Sequence, residues 1–224
     1  MLVVVGGFLG PAIEGLLFFA AAGHIDLPRG WLFVGMTFIW MVGNVAVLAV
    51  VSPGMLNYRG QSRRHKDTKA WDRTVLAVFG LLTMQVLPIV MGLDVGRFHW
   101  SNLGLWATVL GIVLFSLGWL LITWAMLANP HFEATVRIQT DRGHRVVTTG
   151  PYAVVRHPGY VGASLWALGT PLIVGSAYGL IPAGLTVGLL VFRTALEDRT
   201  LRAELPGYAD YARQVRYRLV PGIW

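Results

Sequence analysis

An all-α integral membrane fold is predicted: about six transmembrane helices, the last two forming a helical hairpin, followed by a cytosolic C-terminal helix. Three features of the sequence point to it. Hydrophobic residues make up 55% of the chain and charged residues only 13%, with a mean hydropathy of +0.60, far from the composition of a soluble domain. Several apolar runs approach the roughly 20 residues needed to cross the hydrocarbon core. The 18 basic residues also divide unevenly between alternate loops, as the positive-inside rule requires of cytoplasmic segments.

The first run, Leu2–Ala22, contains Glu14. It lacks the short apolar core and small-residue cleavage site of a secretory signal, so it is expected to remain as a permanent helix. Trp31–Val51 is the second span and contains Asn44. Polar residues at membrane depth usually face the bundle interior or a cavity. An interhelical hydrogen bond is therefore expected of Asn44, and either a structural place or the border of an acceptor tunnel of Glu14. The segment Ser52–Arg73 then supplies six basic residues, Arg59, Arg63, Arg64, Lys66, Lys69 and Arg73.

Thr74–Leu93 and Leu103–Ala128 are the third and fourth spans. Asn129–Pro158 carries four basic residues, Arg137, Arg142, Arg145 and Arg156. Two shorter runs, Tyr160–Val174 and Leu180–Leu196, flank Gly175-Ser176-Ala177-Tyr178-Gly179, which reads as the turn of the hairpin. Six basic residues follow from Arg193 onward, whereas only Arg29 and Arg97 lie on the opposite side. This division of 16 against 2 places both termini in the cytosol. Residues 1–224 read as a single membrane domain, with four spans in 1–128. The cofactor-binding loop, hairpin and amphipathic tail occupy 129–224.

The absence of Cys excludes disulfides, thiolate metal ligands and a cysteine nucleophile; no metal site is expected. The net charge of +7 is absorbed by the sidedness of the loops, so no nucleic-acid partner is needed. Polar residues concentrate in two places. In the first, Gly150-Pro151 marks a turn, and Pro158 suits the first position of a helix, which puts His157 at that helix's N-terminus, where anions are favoured. Tyr152 and Tyr160 offer ring faces to a ligand or pack at the interface. In the second, helical spacing puts Arg193, Glu197 and Leu201 on one face. A carboxylate there needs a partner: Arg193, one turn earlier, or a cationic ligand group. Asp198 lies about 100 degrees further round. Tyr208, Tyr211 and Val215, interspersed with Arg213, Arg216 and Arg218, read as an amphipathic helix on the membrane surface or against the protein body, with Trp224 as an interfacial anchor.

The set His144-Arg145-Val146-Val147-Thr148-Thr149-Gly150-Pro151-Tyr152, Arg156-His157-Pro158-Gly159-Tyr160-Val161-Gly162 and Glu197-Asp198-Arg199-Thr200-Leu201 resembles the isoprenylcysteine carboxyl methyltransferase family and the related membrane phospholipid methyltransferases. The resemblance runs from about Asn129 to the C-terminus. It departs at Asp198, where the family pattern usually has a second Glu, and at Leu205-Pro206-Gly207. It implies a membrane methyltransferase that uses S-adenosylmethionine and a small hydrophobic or lipid-like acceptor arriving from the bilayer. It further implies a cofactor pocket of His144, Gly150, Tyr152, His157, Tyr160, Glu197 and Asp198, with Arg156 and Arg193 toward the reacting groups.

Two other functional classes compete. A membrane reductase of the sterol reductase type would bind NADPH, whose phosphates call for a denser basic pocket than an acidic pair provides. A transporter or accessory subunit would spread polar residues through several spans.

Overall fold

The computed structural model describes residues 2–55 and 67–224, with side chains from Leu9 onward. Arg59, Arg63, Arg64 and Lys66 of the first basic loop lie outside the described residues. Among the described residues all regular structure is helical: α1 Leu2–Ala22, α2 Pro28–Val51, α3 Ala70–Phe98, α4 Leu105–Ala128, α5 Pro158–Val174, α6 Leu180–Glu204 and the short α7 Tyr208–Gln214. Helices α2, α3, α4 and α6 are long and apolar enough to cross a membrane. The described part of α1, Leu9–Ala22, is a shorter apolar helix, and α5 has 17 residues.

Two helices run further than their apolar stretches. Helix α3 starts at Ala70 and reaches Phe98 through π-helical turns at Leu82–Val86 and Leu93–Phe98. The first of these wide turns precedes Pro88, which has no N–H to donate and whose ring would crowd the preceding turn of a regular helix. Helix α6 continues two turns beyond Leu196 to Glu204, so Glu197 and Asp198 are held by a rigid element.

The helices meet in one apolar cluster containing Phe18 of α1, Phe33 of α2, Leu87 and Met91 of α3, Phe115 of α4 and Trp166 and Ile173 of α5. Lipid gives no hydrophobic drive to join helices, so close backbone approach matters more than side-chain bulk. The contact of α4 with α5 depends on it: a Cβ at Gly118 would lie 2.6 Å from the Gly162 carbonyl, and one at Gly162 would lie 2.6 Å from that of Gly118. Asn44 of α2 donates to Thr123 Oγ1 of α4 at 2.7 Å, the expected interhelical bond. Glu14 is 3% exposed, and its Oε1 has no hydrogen-bond partner among the described residues.

At one end of the bundle the buried Asp94 accepts from the Ser101 N–H (2.8 Å) and hydroxyl (2.6 Å) and from the Ser176 hydroxyl (2.5 Å). These bonds tie the end of α3 to the connection 175–179 between α5 and α6. At the other end α7 packs inward. Leu205, Tyr208, Tyr211 and Ala212 form a buried cluster with Ile138 and Val146 against it. The amphipathic tail therefore gives its apolar face to the protein body. Trp224 is also folded back: its ring lies 4.6 Å from the Arg218 guanidinium, and its carbonyl accepts from the Arg218 and Leu219 N–H groups.

Candidate functional site

A cavity of about 110 Å³ opens where α4 ends and α5 begins. His144, Tyr152, Arg156, His157, Tyr160 and Glu197 line it together, although they come from two irregular stretches and two helices. Gly150, Arg193 and Asp198 are not on its wall.

Helix α5 starts as its sequence dictates, with His157 capping it and Pro158 in the first turn. This brings the His157 and Tyr160 rings parallel, 5.7 Å apart and inclined by 5°. The Tyr160 hydroxyl donates to Glu197 Oε2 of α6. Glu197 has no ion-pair partner among the described residues. Its helical neighbour Arg193 turns elsewhere, donating from Nε to Asp72 Oδ1 (2.8 Å) and from Nη2 to Asp72 Oδ2 (3.2 Å) and the Ala134 carbonyl (2.5 Å). The Arg193 guanidinium also lies 5.2 Å from the Tyr160 ring centre. An Arg193–Glu197 pair is thus not formed, because Asp72 of α3 competes for the guanidinium and Tyr160 for the carboxylate.

The adjacent acid has a different environment. Asp198 is completely buried and accepts from Arg156 Nε (2.8 Å) and Nη2 (3.2 Å), Arg202 Nε (3.0 Å), Arg218 Nε (3.1 Å) and the Tyr208 hydroxyl (3.0 Å). One residue along a helix is a rotation of about 100 degrees, so Glu197 meets the cavity while Asp198 meets the loop before α5 and the C-terminal segment. Arg156 is consumed in the same knot. Its remaining nitrogen, Nη1, donates to the carbonyls of Ala212 (3.3 Å), Val215 (2.8 Å) and Arg216 (2.9 Å). On Arg193, by contrast, Nη1 has no acceptor among the described residues.

Gly150 has φ +60, and a Cβ there would lie 3.2 Å from Ala128 Cβ. It turns the chain against the end of α4 and so delivers Tyr152, whose carbonyl accepts from the Tyr211 hydroxyl at 2.7 Å.

The opposite wall comes from residues 131–139, which fall in the expected cofactor-binding loop but among which no site residue is predicted from the sequence. Gln139 is 2% exposed and donates to the His131 carbonyl at 2.7 Å; its backbone N–H donates to His144 Nδ1 at 3.3 Å. The His131 and His144 rings are 4.7 Å apart. Burial, followed by the positive charges of His131, Arg137 and Arg142, pushes the His144 imidazole down to about 4, so it is neutral at physiological pH. His131 Nδ1 and Thr135 Oγ1 are buried with no hydrogen-bond partner among the described residues. Buried polar atoms are seldom left this way, and both residues line the cavity.

The cavity therefore combines one carboxylate open to a cation, two unsatisfied polar atoms and a stacked aromatic pair. An ammonium-bearing ligand with further polar groups matches this set.

The family model described as "Phospholipid methyltransferase" matches residues 106–204. The chain is 34% identical over 123 residues to the protein-S-isoprenylcysteine O-methyltransferase of Tribolium castaneum, covering 53% of this chain and 41% of that protein. It is 35% identical over 133 residues to the enzyme of the same name from Saccharomyces cerevisiae, covering 58% and 53%. The chain thus spans about half the length of the curated relatives it matches. A solved structure of a eukaryotic intramembrane Ras methyltransferase, an isoprenylcysteine carboxyl methyltransferase, superposes with a TM-score of 0.56 at 20% identity. That match covers 95% of this chain and 74% of the other, and it shows a common fold. The resemblance to the isoprenylcysteine carboxyl methyltransferase family, read from residues 129–224, is borne out by these matches.

Proposed function

We propose that this chain is an S-adenosylmethionine-dependent membrane methyltransferase acting on a small hydrophobic or lipid-like acceptor that reaches the site from the bilayer. The observation that carries this reading is Glu197, a carboxylate on the cavity wall with the Tyr160 hydroxyl on one oxygen and no ion-pair partner among the described residues. When bound, S-adenosylmethionine supplies a methyl group on a sulfonium, together with an ammonium and a carboxylate to be recognised.

Glu197 Oε1 takes the ammonium. His131 Nδ1 and Thr135 Oγ1 complete their hydrogen bonds with the ligand's polar atoms. The parallel His157 and Tyr160 rings offer π faces to the cationic centre, and Tyr152 and His144 close the wall. Arg156 and Asp198 act behind the wall by fixing the loop before α5 against the tail. Most of the acceleration comes from aligning acceptor and methyl group away from water.

By their names, the relatives methylate an oxygen of S-isoprenylcysteine in a protein. An acceptor carboxylate of that kind would be oriented by Arg193 Nη1, and needs no general base. Six spans, with α5 and α6 as the hairpin and both termini and the cavity on the cytosolic side, accord with the 16 to 2 division of basic residues.

The test is calorimetric titration of the detergent-purified chain with S-adenosylmethionine and, separately, with NADPH. Saturable binding of the first alone is expected; binding of NADPH alone would overturn the proposal in favour of a reductase.

A further inference from the structure

Asp72 lies in the first turn of α3, where the helix dipole favours an acid, at the same end of the bundle as the cavity but not on its wall. It is completely buried. Its Oδ1 accepts from Arg193 Nε at 2.8 Å. Its Oδ2 is shared by Arg193 Nη2 at 3.2 Å and the backbone N–H of Val136 at 2.7 Å. Arg193 Nη2 reaches on to the Ala134 carbonyl at 2.5 Å, and the Lys69 N–H donates to the Val136 carbonyl at 3.1 Å.

Residues 134–136 are therefore gripped from both sides by groups of α3, its N-terminal flank and α6. Thr135 and Val136 of this segment line the cavity. The same guanidinium sits 5.2 Å from the Tyr160 ring, whose hydroxyl holds Glu197. One carboxylate thus joins the irregular wall of the cavity to the residues on the helical wall.

We propose that Asp72 is a positioning residue of this site: it latches segment 134–136 over the cavity and fixes Arg193 beside Tyr160. The proposal rests on reading the cavity as the S-adenosylmethionine site. An Asn at this position has the same shape but no charge and only one accepting terminal atom, so whichever way it turns its NH₂ faces a donor, either Arg193 Nε or the pair formed by Arg193 Nη2 and the Val136 N–H. In either orientation the charge that holds the Arg193 guanidinium against Asp72 and the Ala134 carbonyl is lost, and with it the grip on segment 134–136.

The test uses the full-length detergent-purified chain, wild type and Asp72→Asn, in two measurements: amide hydrogen exchange by mass spectrometry and calorimetric titration with S-adenosylmethionine. In the variant, amides 134–139 exchange about tenfold faster or more, as expected for loss of one hydrogen bond to a charged group. Amides of the α4–α5 contact around 118 and 162 keep wild-type rates, and affinity for S-adenosylmethionine falls about tenfold. Adding Arg193→Lys to Asp72→Asn weakens binding no more than the more damaging of the two single changes, because the two residues act as one unit.

Unchanged exchange at 134–139 overturns the latch. Faster exchange throughout the bundle overturns it too, since Asp72 would then be a general tie between helices. Faster exchange with unchanged affinity overturns the positioning role. A wild-type chain that fails to bind S-adenosylmethionine overturns the cofactor reading on which the role rests, and the wild-type titration alone reveals it.

Discussion

Replacing Glu197 with Gln removes the negative charge and leaves the side-chain shape. Tyr160 can still donate to the amide oxygen, so its bond to residue 197 survives. Only the second oxygen changes, from an acceptor of a charge-assisted hydrogen bond to an NH₂ that repels an ammonium. The loss is one such contact, roughly 1.5–3 kcal/mol. At 1.4 kcal/mol per tenfold, affinity for S-adenosylmethionine should fall by about 10- to 150-fold. Glu197 has no ion-pair partner among the described residues, so the melting temperature should change little. Calorimetry of the purified variant and wild type, with a thermal melt of each, measures both quantities. Affinity within twofold of wild type would remove Glu197 from the ammonium site. A large fall in melting temperature would show that its charge holds the fold instead.

The neighbouring acid should behave in the opposite way. Asp198→Asn strips the counter-charge from the buried Arg156, whose side chain is only 2% exposed, at a cost of about 3–5 kcal/mol. A clear drop in melting temperature is expected, and loss of cofactor affinity without any drop would contradict this. The site should also be acid-sensitive. His144 is held at about 4 when folded against about 6.5 when unfolded, so between these values the unfolded chain binds more protons. This contribution to stability is complete above about pH 6.5 and is lost as the pH falls toward about 4. Melting temperatures between pH 7.5 and 4.5 should decline less steeply for His144→Gln than for wild type, and equal slopes would refute the assignment.

The four long apolar helices were legible because apolar length is a property of a segment alone. The start of α5 was equally local, since Pro158 in the first turn fixes where His157 and Tyr160 stand. The partners of the charged residues were not. Asp72 and Arg193 are separated by 121 positions, and nothing in either neighbourhood announces the other, so the nearer Glu197 was the natural candidate for Arg193. Glu197-Asp198 reads as one acidic pair, yet successive residues of a helix face different directions, which sends one acid to the cavity and the other to Arg156. Residues 131–139 lie in the expected cofactor-binding loop, but no residue among them stood out because they follow no periodicity. Their roles come from long-range closure, visible only in bonds such as that from Gln139 to the His131 carbonyl. Likewise, an amphipathic pattern over Tyr208–Val215 cannot say whether its apolar face meets lipid or protein; Ile138 and Val146 decide it.

The most direct measurement is transfer of a labelled methyl group. The purified chain, reconstituted in membranes, is incubated with methyl-labelled S-adenosylmethionine and a panel of lipid extract and S-prenylated cysteine, and the organic phase is counted. Label should enter that phase with wild type and fall at least about tenfold with Glu197→Gln at subsaturating cofactor. Saturable cofactor binding with no label in any acceptor, or transfer indifferent to Glu197, would contradict a methyltransferase built on this cavity.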